Sequence, residues 1–256
     1  MKIMNFTADG KEKAGIMKGE TITELSCSVI EALNSPNIEF KENKVYNIKN
    51  IAINSPVFPS KVICVGLNYK DHAKELKMDL PDDPVIFLKP PTSVIGHLDN
   101  IIYPASSKQV DYEAEFGIVI SKEARNITGN DAEEYIGGYT VFNDVTARDL
   151  QQKDIQWTRA KSFDTFAPIG PYIETELDPS NLNISLKLNG EYKQKSNTKN
   201  MIFNVYELVE FVSDIMTLKP GDIIATGTPP GVGPMKIGDT VEAEVEGIGI
   251  LCNYVK

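Results

Sequence analysis

Val110-Asp111-Tyr112-Glu113-Ala114-Glu115-Phe116-Gly117-Ile118-Val119-Ile120-Ser121 is the stretch on which both fold and chemistry turn. Read as a strand, its successive side chains point to opposite faces. One face then carries Val110, Tyr112, Ala114, Phe116 and Ile118, and the other Asp111, Glu113 and Glu115. Side chains two apart on a strand lie roughly 7 Å from one another, so three carboxylates on one face repel. If that face is buried it needs a cation, and hard carboxylate oxygens suit Mg²⁺, Mn²⁺ or Ca²⁺ rather than zinc. The same alternation also describes a half-exposed strand with a solvated acidic face, and taken alone it more often belongs to one.

Further strand-like runs follow outward in both directions: Lys61–Val65, Pro84–Lys89, Gly137–Asn143, Leu182–Leu188, Asp222–Thr226 and Thr240–Val245. Helical spacing is rarer; Val205–Thr217 shows it through Val205, Leu208, Val209, Val212 and Met216. Many strands with few intervening helices argue against a doubly wound parallel sheet. They predict an α+β, mainly β fold with largely antiparallel pairing. Residues 1–57 read as a small N-terminal α/β domain. Lys2–Phe6 and Ala14–Lys18 form a hairpin about Asp9-Gly10, and a helical rhythm over Thr23–Leu33 is stopped by Asn34-Ser35-Pro36. Asn54-Ser55-Pro56 and Pro59 mark the boundary with a catalytic domain over 58–256.

Bulk properties narrow the function classes. The chain has 256 residues and a formal charge of −10. An acidic surface disfavours nucleic acid and anionic membranes as partners. Three scattered cysteines, Cys27, Cys64 and Cys252, with no C-x-x-C pair, point to a reducing compartment and inert thiols. The first residues lack the apolar core of a signal peptide, and no apolar run approaches the ~20 residues of a membrane span. A cytoplasmic location is the expectation.

Other residues add chemistry to the acidic run. Asp144 follows a strand-like run and can supply a third carboxylate, although a turn or helix-capping aspartate looks the same. His72 and Glu75 stand three apart, so one helical turn places a carboxylate beside an imidazole, as a general base requires; a surface polar pair has the same spacing. Lys161 near carboxylates can stay charged and polarise a substrate oxygen, but most lysines are surface lysines. His97 lies in the turn-like Gly96–Asn100 and reads as a loop residue. Thr226–Gly233 is rich in glycine and proline. No Gly-Lys-Ser/Thr follows, so it is not a nucleotide phosphate loop; its glycines would let backbone N–H groups approach a small anion, or simply connect strands.

Taken together, these pieces resemble the fumarylacetoacetate hydrolase family, in particular its smaller acylpyruvase and 2-hydroxyhepta-2,4-diene-1,7-dioate isomerase type members. The resemblance rests on Gly66–Glu75, Phe87–Gly96, Val110–Ile118, Asn143–Gln151, Ala160–Thr165 and Thr226–Gly233, in the family's order from about residue 58 onward. It implies a β-roll catalytic domain, usually homodimeric, with one Mg²⁺ or Mn²⁺ per subunit held by Glu113, Glu115 and Asp144. It implies that His72 and Glu75 belong to a lid that activates a water, and that Lys161 is the active-site lysine. Thr165 would stand in the metal's outer shell. Arg148 and Gln151 would face the substrate, with Arg148 as a carboxylate clamp, and Thr228 would meet the substrate carboxylate; Lys89 is a further candidate. The expected partner is a small 2-oxo acid reacting through a metal-stabilised enolate. The favoured outcome is C–C hydrolysis of an acylpyruvate-like diketo acid. Isomerisation or tautomerisation of a hydroxymuconate- or heptadienedioate-like acid, and decarboxylation of an oxaloacetate-like acid, share that enolate. A non-catalytic metabolite binder on the same fold is the reading from another class.

Overall fold

The computed structural model of the protein describes residues 1–35 and 37–256. The architecture is mainly β. One large sheet orders its strands Phe40–Asn47, Thr21–Leu25, Lys11–Lys18, Lys2–Ala8, Ala167–Glu174, Ile136–Asn143, Ala114–Ile120, Ile223–Ala225, Val62–Val65 and Ile86–Lys89. Most neighbours are antiparallel, and Ile223–Ala225 against Val62–Val65 is a parallel exception. A second sheet runs Glu191–Asn197, Asn183–Leu188, Thr240–Val245, Gly249–Val255 and Asn100–Ile101. The main core lies between the two, where Phe116, Ile118 and Val141 meet Ile184, Leu186 and Ala243. Among the described residues no helix is long and apolar enough to cross a membrane.

The N-terminal hairpin turns at Asp9 and Gly10, both at positive φ, 52° and 70°, the geometry of a two-residue turn that matches strand twist. Its first strand pairs through Lys2 and Ile3 with Glu174 and Ile173, so the sheet of residues 1–57 hydrogen-bonds directly to one strand from later in the chain, Ala167–Glu174. The helical rhythm read over Thr23–Leu33 needs correction. Thr21–Leu25 is a strand between Lys11–Lys18 and Phe40–Asn47, and the helix is confined to Val29–Asn34. Its start is fixed by a capping box, with the Ser28 side chain accepting from Glu31 N–H while Glu31 reaches back to Ser28 N–H. Pro36, read as part of the helix stop, lies outside the described residues. The later helix, Val205–Ile215, has the same kind of cap at Asn204 and Glu207.

The decisive stretch is not one strand. Val110–Tyr112 belongs to a small third sheet with Thr146–Ala147 and Gly233–Met235, and Ala114–Ile120 belongs to the large sheet. The break falls at Glu113, whose N–H donates to the Asn143 side-chain oxygen at 2.9 Å instead of to a strand. Beyond it, Ala114 N–H donates to the Gln194 side-chain oxygen at 2.9 Å. Both faces are buried: Asp111, Glu113 and Glu115 are 2%, 6% and 1% exposed. A solvated acidic face is therefore excluded.

Candidate metal centre and active-site cavity

The break at Glu113 has a chemical consequence. Leaving the ladder there swings the Glu113 carboxylate toward Asp144, whose own N–H donates to the Glu113 carbonyl at 2.9 Å. Glu115 sits on the next strand, facing the same space. One carboxylate oxygen from each of Glu113, Glu115 and Asp144 lies within 4.8 Å of the others, and all three residues are buried. Glu115 Oε2 accepts from Gly227 N–H at 2.9 Å. Gly227 has φ +91°, and a Cβ there would stand 2.9 Å from the Asn68 Cβ, so the loop can approach only as glycine. Asn68 locks that approach by donating to the Thr226 carbonyl at 2.7 Å and bracing the Phe203 backbone.

Three cations converge on these acids. Lys161 is 2% exposed, and its Nζ lies 3.0 Å from Glu113 Oε2 and 2.5 Å from Asp144 Oδ2. Lys89 is fully buried and donates to Asp144 Oδ1 and, at 3.0 Å, to the Val145 carbonyl. Arg148 opens the helix Arg148–Lys153 and bonds Asp111 at 2.8 Å, Glu113 and the Gln151 side-chain oxygen. Burial alone would raise the Glu113 carboxyl, but attraction to Lys161 and Arg148 outweighs it and holds that group down at about 2. The Lys161 ammonium is pushed the other way: burial disfavours it, yet Asp144 and Glu113 raise it above its ordinary value. Glu115 has no such partner. Burial first, then repulsion from Asp144 and Glu113, pushes its carboxyl well above the ordinary range. The donor set thus fits a divalent cation: three buried hard oxygen ligands, one of them short of positive charge. Cys64 lies nearby, but burial and Asp144 raise its thiol, keeping it neutral and a poor ligand.

Glu113 and Asp144 open onto a cavity of about 320 Å³ that also admits His72, Arg148, Lys161 and Thr228. The helix Lys70–Leu76 carries His72, whose Nδ1 lies 2.8 Å from Glu75 Oε2. Asp71 anchors this helix by accepting from Ser196 Oγ at 2.6 Å. Glu75 also accepts from Gly231 N–H at 3.4 Å, which ties the helix to the glycine-rich loop. Larger grooves lie elsewhere, around Ile95 and His97 and around Leu88 and Ile155, but they lack this acidic cluster. His97 sits in the first of them as a loop residue, its Nδ1 accepting from Cys252 N–H at 3.1 Å.

Of the further residues expected at the site, Arg148, Gln151 and Thr228 line the cavity, and Lys89 and Thr165 do not. Lys89 stands behind Asp144 and does not line the cavity. Thr165 Oγ1 accepts from Ile102 N–H at 2.9 Å, away from the cavity lining. Thr228 reaches the cavity, but its hydroxyl donates to the Ala114 carbonyl at 2.8 Å and accepts from Gln194 at 2.9 Å. Arg148 and Gln151 both line the cavity, with the guanidinium already bonded to protein acids. Sequence reading overlooked Asn143 and Gln194, whose amides satisfy the backbone on either side of the Glu113 break.

Comparison with known proteins gives this geometry a lineage. Residues 61–256 match the family described as "Fumarylacetoacetate (FAA) hydrolase C-terminal". The chain belongs to the fumarylacetoacetate hydrolase family. Within it, the chain is 47% identical over 208 residues to the mitochondrial oxaloacetate tautomerase Fahd2a of Rattus norvegicus, covering 77% of this chain and 66% of that protein. The crystal structure of a 5-carboxymethyl-2-hydroxymuconate delta-isomerase from Mycobacterium smegmatis superposes with a TM-score of 0.92 at 40% identity, covering 100% of this chain and 99% of that one. A maleylpyruvate hydrolase from Sphingobium sp. SYK-6, solved with manganese(II) and pyruvate, superposes with a TM-score of 0.83 at 26% identity, covering 100% and 98%.

Proposed function

We propose that this protein is a divalent-cation-dependent enzyme that hydrolyses a C–C bond in an acylpyruvate-like 2-oxo acid. One observation carries the reading: a single cavity joins two members of the buried triad, Glu113 and Asp144, to an imidazole already held by a carboxylate. Glu113, Glu115 and Asp144 would hold Mg²⁺ or Mn²⁺, which when bound supplies Lewis-acid polarisation of a 2-oxo acid's keto oxygen. Manganese and pyruvate in the Sphingobium relative support that choice of ion and of substrate head.

The chain's own residues supply the rest. Lys161, buried and charged, places an ammonium beside the carboxylates where negative charge develops on the substrate oxygen. With Nδ1 turned to Glu75, His72 keeps Nε2 as its free ring nitrogen, able to take a proton from water. The water oxygen bonds to the acyl carbon, and the bond from that carbon to C3 of the pyruvate unit breaks. Its electron pair passes to the pyruvate unit, and C3 takes up a proton. The products are pyruvate and a carboxylic acid.

A second reading keeps His72 but moves a proton to or from C3 with no water attack, giving tautomerisation or isomerisation. The names of the rat and M. smegmatis relatives favour it. The two separate in one assay: Mn²⁺-supplemented protein is given acetylpyruvate, then the enol of oxaloacetate. Pyruvate release that falls about 10²–10⁴-fold in His72→Ala is the expected result. Rapid loss of the oxaloacetate enol with no pyruvate from acetylpyruvate would replace hydrolysis by the second reading.

A further inference from the structure

The cavity is chemically mixed. Its lining sets Glu113, Asp144 and Lys161 in one space with an apolar wall of Leu67, Leu76, Met78, Phe87 and Trp157, and also includes the neutral Gln151 and Gln152. Phe87 marks the transition. Lys161 Nζ lies 4.9 Å from its ring centre, and Trp157 packs edge-on against it at 5.4 Å and 74°. Trp157 in turn lies over Gly66, where a Cβ would touch the indole at 3.4 Å, so the ring is seated closely on the floor of the site. Leu76 and Met78 are 49% and 57% exposed, apolar surface that a ligand tail could cover.

Counter-charge is missing from that wall. Among the described residues lining the cavity, the lysine and arginine cations are Lys161 and Arg148, and each already bonds two protein carboxylates. Lys74 and Lys77 flank the apolar residues along the chain but do not line the cavity, and the chain continues into Asp79, Asp82 and Asp83. A second substrate carboxylate placed against Trp157 and Met78 would find no free lysine or arginine cation, only the neutral donors of Gln151, Gln152 and His72 on the same lining.

We infer that the distal wall selects 2-oxo acids whose far end is an uncharged alkyl or aryl group, and disfavours 2-oxo diacids. The inference rests on the 2-oxo acid reading above and goes further, setting this chain apart from relatives named for dicarboxylic substrates. Leu67, Met78 and Trp157 are the specificity-determining side chains.

The test is binding, measured by calorimetry on Mn²⁺-supplemented protein with three unreactive 2-oxo acid analogues. Oxamate carries the head alone, N-isobutyloxamate adds an apolar tail, and N-oxalylglycine adds a carboxylate tail of matching size. Expected is N-isobutyloxamate binding at least about tenfold tighter than oxamate, the gain from burying a few methylenes, with N-oxalylglycine no tighter than oxamate. Met78→Lys, at a half-exposed position that tolerates charge, should remove the isobutyl gain and improve N-oxalylglycine several-fold. Leu67→Lys gives a second variant with the same expectation. If oxamate binds and N-oxalylglycine binds tighter than N-isobutyloxamate, this inference fails alone. If both variants leave the order unchanged, the wall is wrongly assigned. If oxamate itself does not bind, the 2-oxo acid reading fails and takes the inference with it.

Discussion

Two buried acidic groups in this molecule are handled in opposite ways. Glu24, in the N-terminal part of the large sheet, is 3% exposed and receives Lys13 at 3.0 Å, Lys41 at 2.5 Å and the Tyr46 hydroxyl at 2.8 Å. All three donors come from strands adjacent to its own. Burial would raise its carboxyl, but those hydrogen bonds outweigh burial and lower it to about 2. Around Glu113 stand four carboxylates, counting Asp111, Glu115 and Asp144, and the three cations Lys89, Arg148 and Lys161 pair with all of them but Glu115. Glu115 is left with a backbone N–H and is pushed upward. A carboxylate buried for structure is given more donors than it needs. The cluster is short by a charge, which a divalent cation would supply.

The comparison breaks most sharply at Glu115. Glu115→Gln should lower Mn²⁺ affinity by more than about 100-fold, beyond what loss of an outer-shell partner costs; unchanged affinity by calorimetry would make the cluster a plain ion-pair network. Next comes Lys161→Met, which strips Glu113 and Asp144 of their shared ammonium. Denaturant unfolding without added metal should show a loss of about 3–5 kcal/mol, as for other broken buried pairs. Mn²⁺ should then raise the Tm of the variant more than that of the unsubstituted protein.

Glu24→Gln sharpens the other side. It should cost about 1–3 kcal/mol at pH 7 and leave metal-dependent turnover unchanged. Because the folded-state value of about 2 lies below the ordinary 4.5, the ionised form favours folding. That stability is complete above about 4.5 and is lost as pH falls through about 2. Stability curves of protein and variant should therefore converge between pH 5 and 2; a constant gap would show that packing, rather than charge, holds Glu24.

Much of the site was legible because its chemistry is local in sequence. His72 and Glu75 stand three apart within one helix, and Glu113 and Glu115 two apart in one short run that the break at Glu113 still leaves facing one space. Strands escaped notice where their composition imitates something else. Ala167–Glu174 carries Pro168 and Pro171, Glu191–Asn197 and Phe40–Asn47 are polar, and their pairing is set by neighbours rather than by their own pattern. Lys89 and Thr165 show the same limit at the site. Their motifs place them near the chemistry, but direction is a matter of packing, and packing turned Lys89 behind Asp144 and Thr165 toward Ile102.

By itself, then, the sequence determined a mainly β chain, its acidic run and the residue types able to hold a hard divalent cation, since alternation and donor chemistry are properties of short segments. Tertiary structure alone decided that the acidic run breaks at Glu113, that Asn143 and Gln194 satisfy the broken backbone, and that Lys161 reaches Glu113 across 48 residues of chain. It also decided that Leu67, Met78 and Trp157 come to line the same cavity as the acids. The reason is that burial and counter-charge are set by what other segments bring to a point, and the large sheet gathers strands from Lys2–Ala8 to Ile223–Ala225 side by side.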